Sequence, residues 1–203
     1  MTEKVVIPPP DQVEITQRRY TTLPPSQYQA FKPGPDLVPE MAPAGAGYHF
    51  HVTGLTHNER GYPAMTPQAQ NDLVKRLSEK IRRAAPGLVD IDEEGTEDAE
   101  VVVVSYGITS RVAQRAIHLA RQKGVRVGRM RLVTVWPFPE ARIREVAGRI
   151  RAFVVPELNL GQIALEVERL AAGRCATICV PHAGGSVHDP ADIASAILQG
   201  ARE

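Results

Sequence analysis

The chain has 203 residues, 43% of them hydrophobic and 23% charged, with a formal charge of +1, a profile that fits one globular domain with room for an appendage. That balance excludes the strongly basic surface of a nucleic-acid binder. No apolar run reaches the roughly 18 residues of a membrane span, and the opening MTEKVVIPPP lacks the apolar core of a secretory signal, which leaves the cytoplasm as the default compartment.

Residues 1–65 hold most of the 17 prolines and show no sustained helical or strand period. This stretch reads as a proline-rich extended arm. Its apolar residues (Val5, Val6, Ile7, Tyr20, Tyr28, Phe31, Tyr48, Phe50, Leu55) favour wrapping over a surface rather than disorder, because disordered tails are poorer in aromatics. A helix is predicted after Thr66-Pro67, an N-cap followed by proline at the first helical position. It carries a Leu73, Leu77, Ile81 stripe and a solvated basic face, and ends at Pro86-Gly87. With the acidic stretch 90–100 it makes up a linker helix and connector over residues 66–98.

From residue 99 to 203, strand and helix patterns alternate. Val101–Val104 is a fully buried strand type, followed by a helix over 111–123 with Gly124 after it. A strand over 125–135 precedes the knot Trp136-Pro-Phe-Pro139, then a helix over 139–150. A strand over 152–156, a helix over 160–172, a strand over 175–180 and a helix begun by Asp189-Pro190 complete the set. Short connections imply an α/β fold: a mostly parallel sheet with helices on both faces. Cys175 and Cys179 are too few for a disulfide framework or, alone, for an iron–sulfur cluster, which takes about four thiolates. They read as small hydrophobes on one buried face of their strand.

Four blocks carry a resemblance in register: Val52-Thr-Gly-Leu-Thr-His-Asn-Glu-Arg-Gly-Tyr-Pro63, Val104-Ser-Tyr-Gly-Ile-Thr-Ser-Arg111, Leu132-Val-Thr-Val-Trp-Pro-Phe-Pro139 and Val155-Pro-Glu-Leu-Asn-Leu-Gly-Gln162. Together the chain resembles the C-terminal part of the alpha subunit of 2-oxoacid:ferredoxin oxidoreductases, the 2-oxoglutarate type in particular. The resemblance implies a transketolase-C-terminal-like α/β domain with a long arm. It implies an assembled enzyme that oxidatively decarboxylates a 2-oxoacid to acyl-CoA with thiamine diphosphate, Mg2+ and iron–sulfur clusters, reducing ferredoxin. The family's aminopyrimidine-contacting N-terminal alpha domain is expected to precede Met1, and the thiamine-binding beta subunit is an expected partner. The Gly-Asp-Gly and Asn-Asn pattern that holds the diphosphate's cation does not occur here, so no cofactor is expected to bind this chain alone, and the chain alone is expected to be inactive. Its own role reads as scaffold and subunit interface. A free-standing flavodoxin-like nucleotide binder and a non-enzymatic interaction module are the alternatives.

Candidate site residues follow from position. Ser105, Tyr106, Gly107, Thr109 and Ser110 lie where a buried strand runs into a helix, a geometry that exposes backbone N–H groups to anions such as a CoA phosphate. The three-glycine dinucleotide fingerprint and the Gly-Lys-Ser/Thr of a P-loop are both absent. The plainer reading is a turn in which Gly107 takes an unusual dihedral and Thr109 or Ser110 caps the helix. Glu157, Asn159 and Gln162 follow the third buried strand, at a sheet edge where partners dock, and read as interface candidates; a carboxylate there could also act as acid or base, or the group could simply hold loop backbone and a helix start. Trp136 reads as a core plug or an interface patch. Thr53, Leu55, His57, Arg60 and Tyr62 read as an inter-subunit or inter-domain contact. His49, His51, His57, His182 and His188 match no zinc spacing, and the loop 182–188 reads as surface.

Overall fold

The computed structural model describes residues 6–203; Val5, counted above among the arm's apolar residues, lies outside them. The chain forms two compact units, Met1–Arg83 and Ala84–Glu203.

In the first unit the regular structure described before residue 67 is one 3-10 turn, Pro10–Gln12. The rest folds back on itself through single bridges, Tyr20 to Met41, Pro33 to Pro39 and His57 to Pro63. Tyr28 sits edge-on to Tyr48 and Phe50, with ring centroids 5.2 and 5.5 Å away. The polar tips find backbone partners: Tyr48 donates to the Leu23 carbonyl at 2.7 Å and Tyr28 to that of Glu40 at 3.0 Å. Gly61 is required where it stands. Its φ is +87°, and a Cβ there would lie 1.9 Å from the His51 carbonyl oxygen.

Helix α1 (Pro67–Leu88) starts as its sequence predicts, with Thr66 Oγ1 accepting from Ala69 N at 3.2 Å. It does not end at Pro86. A proline in the last turn forfeits a single intrahelical hydrogen bond, and the helix runs on to Leu88. No residue of α1 is buried, so the Leu73–Leu77–Ile81 stripe stays partly open.

The second unit is a five-stranded sheet in the order β1-β3-β2-β4-β5, built from β1 (Ile91–Glu94), β2 (Val101–Tyr106), β3 (Val127–Leu132), β4 (Ala152–Glu157) and β5 (Ala176–Pro181). Four strands are parallel, and β1 joins β3 antiparallel. Helices α2 (Thr109–Arg121) and α5 (Pro190–Gly200) cover one face; α3 (Glu140–Ala147) and α4 (Ile163–Ala171) cover the other. Alternate residues of β2 divide between the two cores: Val101 and Val103 pack under α2 and α5, Val102 and Val104 under α3 and α4. This is the mostly parallel α/β architecture read from the sequence.

The acidic stretch expected to be a connector contains β1. Its carboxylates are matched by arginines distant in sequence. Asp92 takes both outer nitrogens of Arg129 at 2.9 Å, Glu93 takes Arg142 at 2.7 Å, and Glu94 takes Arg121 at 2.9 Å. Hydrogen bonding from Arg142 holds the Glu93 carboxyl below the usual carboxylate range, against the opposing effect of its partial burial. An edge strand made of acids has no apolar alternation, and its partners become visible only in three dimensions.

Candidate functional site

The sheet order reverses between β2 and β4: the chain leaves β2 toward α2 on one face and β4 toward α4 on the other. In open α/β sheets, ligands and partners gather outside the carboxyl ends of the strands at such a switch point. Here the crevice is spanned by side chains of the protein itself.

Glu157 ends β4 and is 0% exposed. Its Oε1 accepts from the Tyr106 hydroxyl at 3.0 Å, Asn159 Nδ2 at 3.2 Å and Ile163 N at 2.9 Å, and its Oε2 accepts from Ala164 N at 2.9 Å. Ile163 and Ala164 are the first two residues of α4. The buried charge is therefore balanced by two free helix N–H groups, by the positive end of the helix dipole and by two side-chain donors. Asn159 completes the network. Its Nδ2 also reaches Tyr106 Oη at 3.1 Å, and its Oδ1 accepts from Gly161 N at 2.7 Å and Gln162 N at 3.1 Å. Gln162 enters through its backbone. A fully buried carboxylate with this set of donors is arranged to hold a helix start and two loops. Burial, then the hydrogen bond to Glu157, pushes the Tyr106 phenol above its ordinary value. Cys179 lies within reach of the Glu157 charge, and burial pushes its thiol up. Cys175 and Cys179 are half-buried and both pack against the core beneath α3 and α4.

The loop after β2 is a turn. Gly107 has a φ of +55°, and Ser110 N and Arg111 N close back onto the carbonyls of Gly107 and Ile108 at 3.3 and 3.1 Å. Neither Thr109 nor Ser110 caps the helix. The residue before α2 is Ile108, and Thr109 Oγ1 instead donates to the Tyr106 carbonyl at 2.6 Å. The hydroxyls of Ser105 and Ser110 are buried without a partner.

The Trp136-Pro-Phe-Pro139 knot divides its two aromatics. Phe138, 6% exposed, belongs to the core, whereas Trp136 is 67% exposed. His188, expected on a surface loop, is buried: its Nε2 donates to the Val180 carbonyl at 2.8 Å and its ring lies 5.2 Å from that of His182. In the first unit, Tyr62 stacks on His51 at 5.1 Å and His57 packs on Phe31 at 4.1 Å. Thr53 Oγ1 accepts from Leu55 N at 3.2 Å, and Arg60 N donates to Asn58 Oδ1 at 3.0 Å. Leu55, Thr53 and His57 line a cleft of about 530 Å³ beside Leu73 and Arg76 of α1. The predicted residues thus fall into two groups, one within each unit. The Tyr106–Glu157 pair escaped sequence reading; its one signal was that both residues end buried strands, which the switch-point rule brings side by side.

Over residues 99–193 the sequence matches the family model of pyruvate:ferredoxin oxidoreductase core domain II. The matched span lies within the second unit. The resemblance to alpha subunits of 2-oxoacid:ferredoxin oxidoreductases is borne out by relatives over nearly the whole chain. The 2-oxoglutarate synthase subunit KorA of Methanothermobacter thermautotrophicus is 45% identical over 200 residues, covering 98% of this chain and 53% of that protein. That of Methanocaldococcus jannaschii is 40% identical over 98% of this chain and 52% of its own. The chain spans about half the length of these curated relatives. The 2-oxoglutarate:ferredoxin oxidoreductase from Magnetococcus marinus, solved with 2-oxoglutarate, coenzyme A and succinyl-CoA bound, shares the fold, with a TM-score of 0.75 at 23% identity over 96% of this chain and 34% of that one. Among the described residues no helix is long and apolar enough to cross a membrane, and no group of three or more His, Cys, Asp or Glu is placed to hold a metal ion.

Proposed function

We propose that this chain is the C-terminal portion of the alpha subunit of a 2-oxoglutarate:ferredoxin oxidoreductase. In the assembled enzyme 2-oxoglutarate is oxidatively decarboxylated to succinyl-CoA and ferredoxin is reduced. The observation that carries the reading is identity of 45% to a 2-oxoglutarate synthase subunit across 98% of the chain.

A diphosphate held through a divalent cation needs a set of oxygen donors; that no group of three or more His, Cys, Asp or Glu is placed for a metal ion among the described residues supports a reading in which thiamine diphosphate is held elsewhere in the assembled enzyme. This portion contributes scaffold and contact surface. The closed Glu157 network favours that role over acid–base catalysis. The thiamine-binding beta subunit and the N-terminal alpha domain supply the cofactor's ligands, and CoA and ferredoxin are met through the complex.

Reconstitution tests the reading. The full-length subunit, coexpressed with its thiamine-binding subunit, is expected to reduce ferredoxin or a viologen dye when given 2-oxoglutarate and CoA, and this chain alone to reduce neither. A chain that binds thiamine diphosphate unaided, or a complex that ignores 2-oxoglutarate, overturns it.

A further inference from the structure

The two ends of the sheet in the second unit differ in chemistry. At the amino end every connection carries ionic side chains: Glu97, Asp98 and Glu100 after β1, Lys123 and Arg126 after α2, Arg149 and Arg151 after α3, Arg174 after α4. At the carboxyl end the four loops that leave the parallel strands, 107–108, 133–139, 158–162 and 182–188, contain no Asp, Glu, Lys or Arg; an exposed acid beside them is Asp90, where the chain enters β1 and its carbonyl accepts from Val133 N and Thr134 N at 3.0 Å. Asp189, which follows the last of them, is occupied in capping α5 on Ala191 N at 2.8 Å.

Each of those four loops instead exposes a large apolar side chain: Ile108, Val133 with Trp136, Leu160 and Val187. Leu160 is 81% exposed and Trp136 67%. All four loops leave parallel strands at the same end, so these side chains share one edge. Scattered exposed leucines are ordinary, but an apolar set concentrated on one edge marks an interaction site. The rigid hub of Glu157, Tyr106 and Asn159 lies beneath two of these loops and fixes their shape before any partner arrives.

We propose that the carboxyl edge of this sheet is the docking face for a different folded subunit of the same oxidoreductase, whose matching surface is apolar and low in charge. The charge pattern selects this occupant. The core of a protein–protein interface is depleted of charged residues and enriched in aromatics such as Trp136, whereas a nucleic acid or other polyanion would need cations that these loops lack. A different subunit is favoured over a second copy because the relatives at 45% and 40% identity are themselves named as subunits of 2-oxoglutarate synthase. The inference rests on the function proposed above.

The test coexpresses the tagged full-length subunit with its thiamine-binding subunit and reads the thiamine diphosphate recovered on the tag, with the molar mass of the complex in solution. Leu160→Glu and Trp136→Glu alter side chains that carry little of the fold. Each is expected to lower the recovered cofactor about tenfold or more, while the melting temperature of the isolated subunit stays at the wild-type value. Lys123→Glu, at the opposite end of the sheet, is expected to leave recovery unchanged. Wild-type recovery by both edge variants overturns the proposal. So does a loss of equal size in Lys123→Glu, or a wild-type molar mass showing that the edge variants break only a homodimer. If Leu160→Glu lowers the melting temperature, Leu160→Ser replaces it in the same comparison. Should the wild-type subunit itself recover no thiamine diphosphate, the proposed function fails first, and that result is distinct from a loss confined to the edge variants.

Discussion

The Tyr106 hydroxyl and the Glu157 carboxylate, 51 residues apart in the chain, meet at 3.0 Å across the point where the strand order reverses. One short contact thereby joins the exits of β2 and β4, and the same carboxylate secures the first two N–H groups of α4.

Removal of that acid is expected to be costly. Glu157→Ala strands two helix N–H groups and a phenol around a void, for a loss of about 3 kcal/mol. Glu157→Gln keeps the volume but points an amide N–H₂ at donors, and about 2 kcal/mol is expected. Urea denaturation followed by circular dichroism measures both; a Glu157→Ala chain as stable as wild type contradicts the account.

Tyr106 confers sensitivity to alkali. Its folded pKa is raised by burial and by the hydrogen bond to Glu157, so its contribution to stability is complete below the unfolded value of about 10 and is lost as pH rises through the folded value. Tyr106→Phe is expected to be less stable at neutral pH by about 1 kcal/mol, with a gap to wild type that narrows above pH ~10. Melting temperatures across pH 8–11 follow the convergence.

Arg142 acts on the acid side. It pairs with Glu93, Glu97 and Glu145 at 2.7, 3.0 and 2.7 Å, and Glu93 is the most enclosed of the three. The lowered folded pKa of Glu93 makes its contribution complete above the unfolded value of about 4.3, and that contribution is lost as pH falls through the folded one. Arg142→Met is expected to cost about 2 kcal/mol at neutral pH, and the deficit is expected to shrink below pH ~4. A deficit that is constant down to pH 2 argues against the pairing.

Gly61→Ala tests the first unit. The new methyl group would occupy the space of the His51 carbonyl, at a φ of +87° that non-glycine residues rarely adopt. Faster hydrogen exchange and proteolysis are expected within residues 20–65, with the second unit unchanged. Gly45→Ala, at a similar φ of +81° but with nothing within 4 Å, isolates the dihedral from the collision.

Much of the architecture was legible because burial leaves a pattern. Val101–Val104 reads as a strand covered on both faces, and Thr66-Pro67 and Asp189-Pro190 announce helix starts that the structure contains. The strand β1 was illegible because its stabilisation is ionic: Glu93 turns inward to meet Arg142, 49 residues away, with no hydrophobic period to betray it. The division of Trp136 from Phe138 was hidden for a related reason. Two aromatics on either side of Pro137 in a proline-rich turn carry no sustained periodicity, so only the backbone path decides which one enters the core. At the switch point, Glu157 and Asn159 were legible as loop residues that hold backbone. Tyr106 was legible as a strand-end candidate, but its pairing with Glu157 was not, since strand neighbours in space follow from sheet order rather than from proximity in sequence.

The two rims of the sheet also offer different welcomes to a stray chain. Along β1, Asp92, Glu93 and Glu94 line the outer strand with carboxylates, a common protection against unwanted strand addition. The opposite rim, β5, is Ala-Thr-Ile-Cys-Val-Pro and has no charge to turn a newcomer away until Pro181 removes an N–H donor at its end. Any tendency of this protein to aggregate through extended pairing is therefore polarised, starting from the rim that carries Cys179.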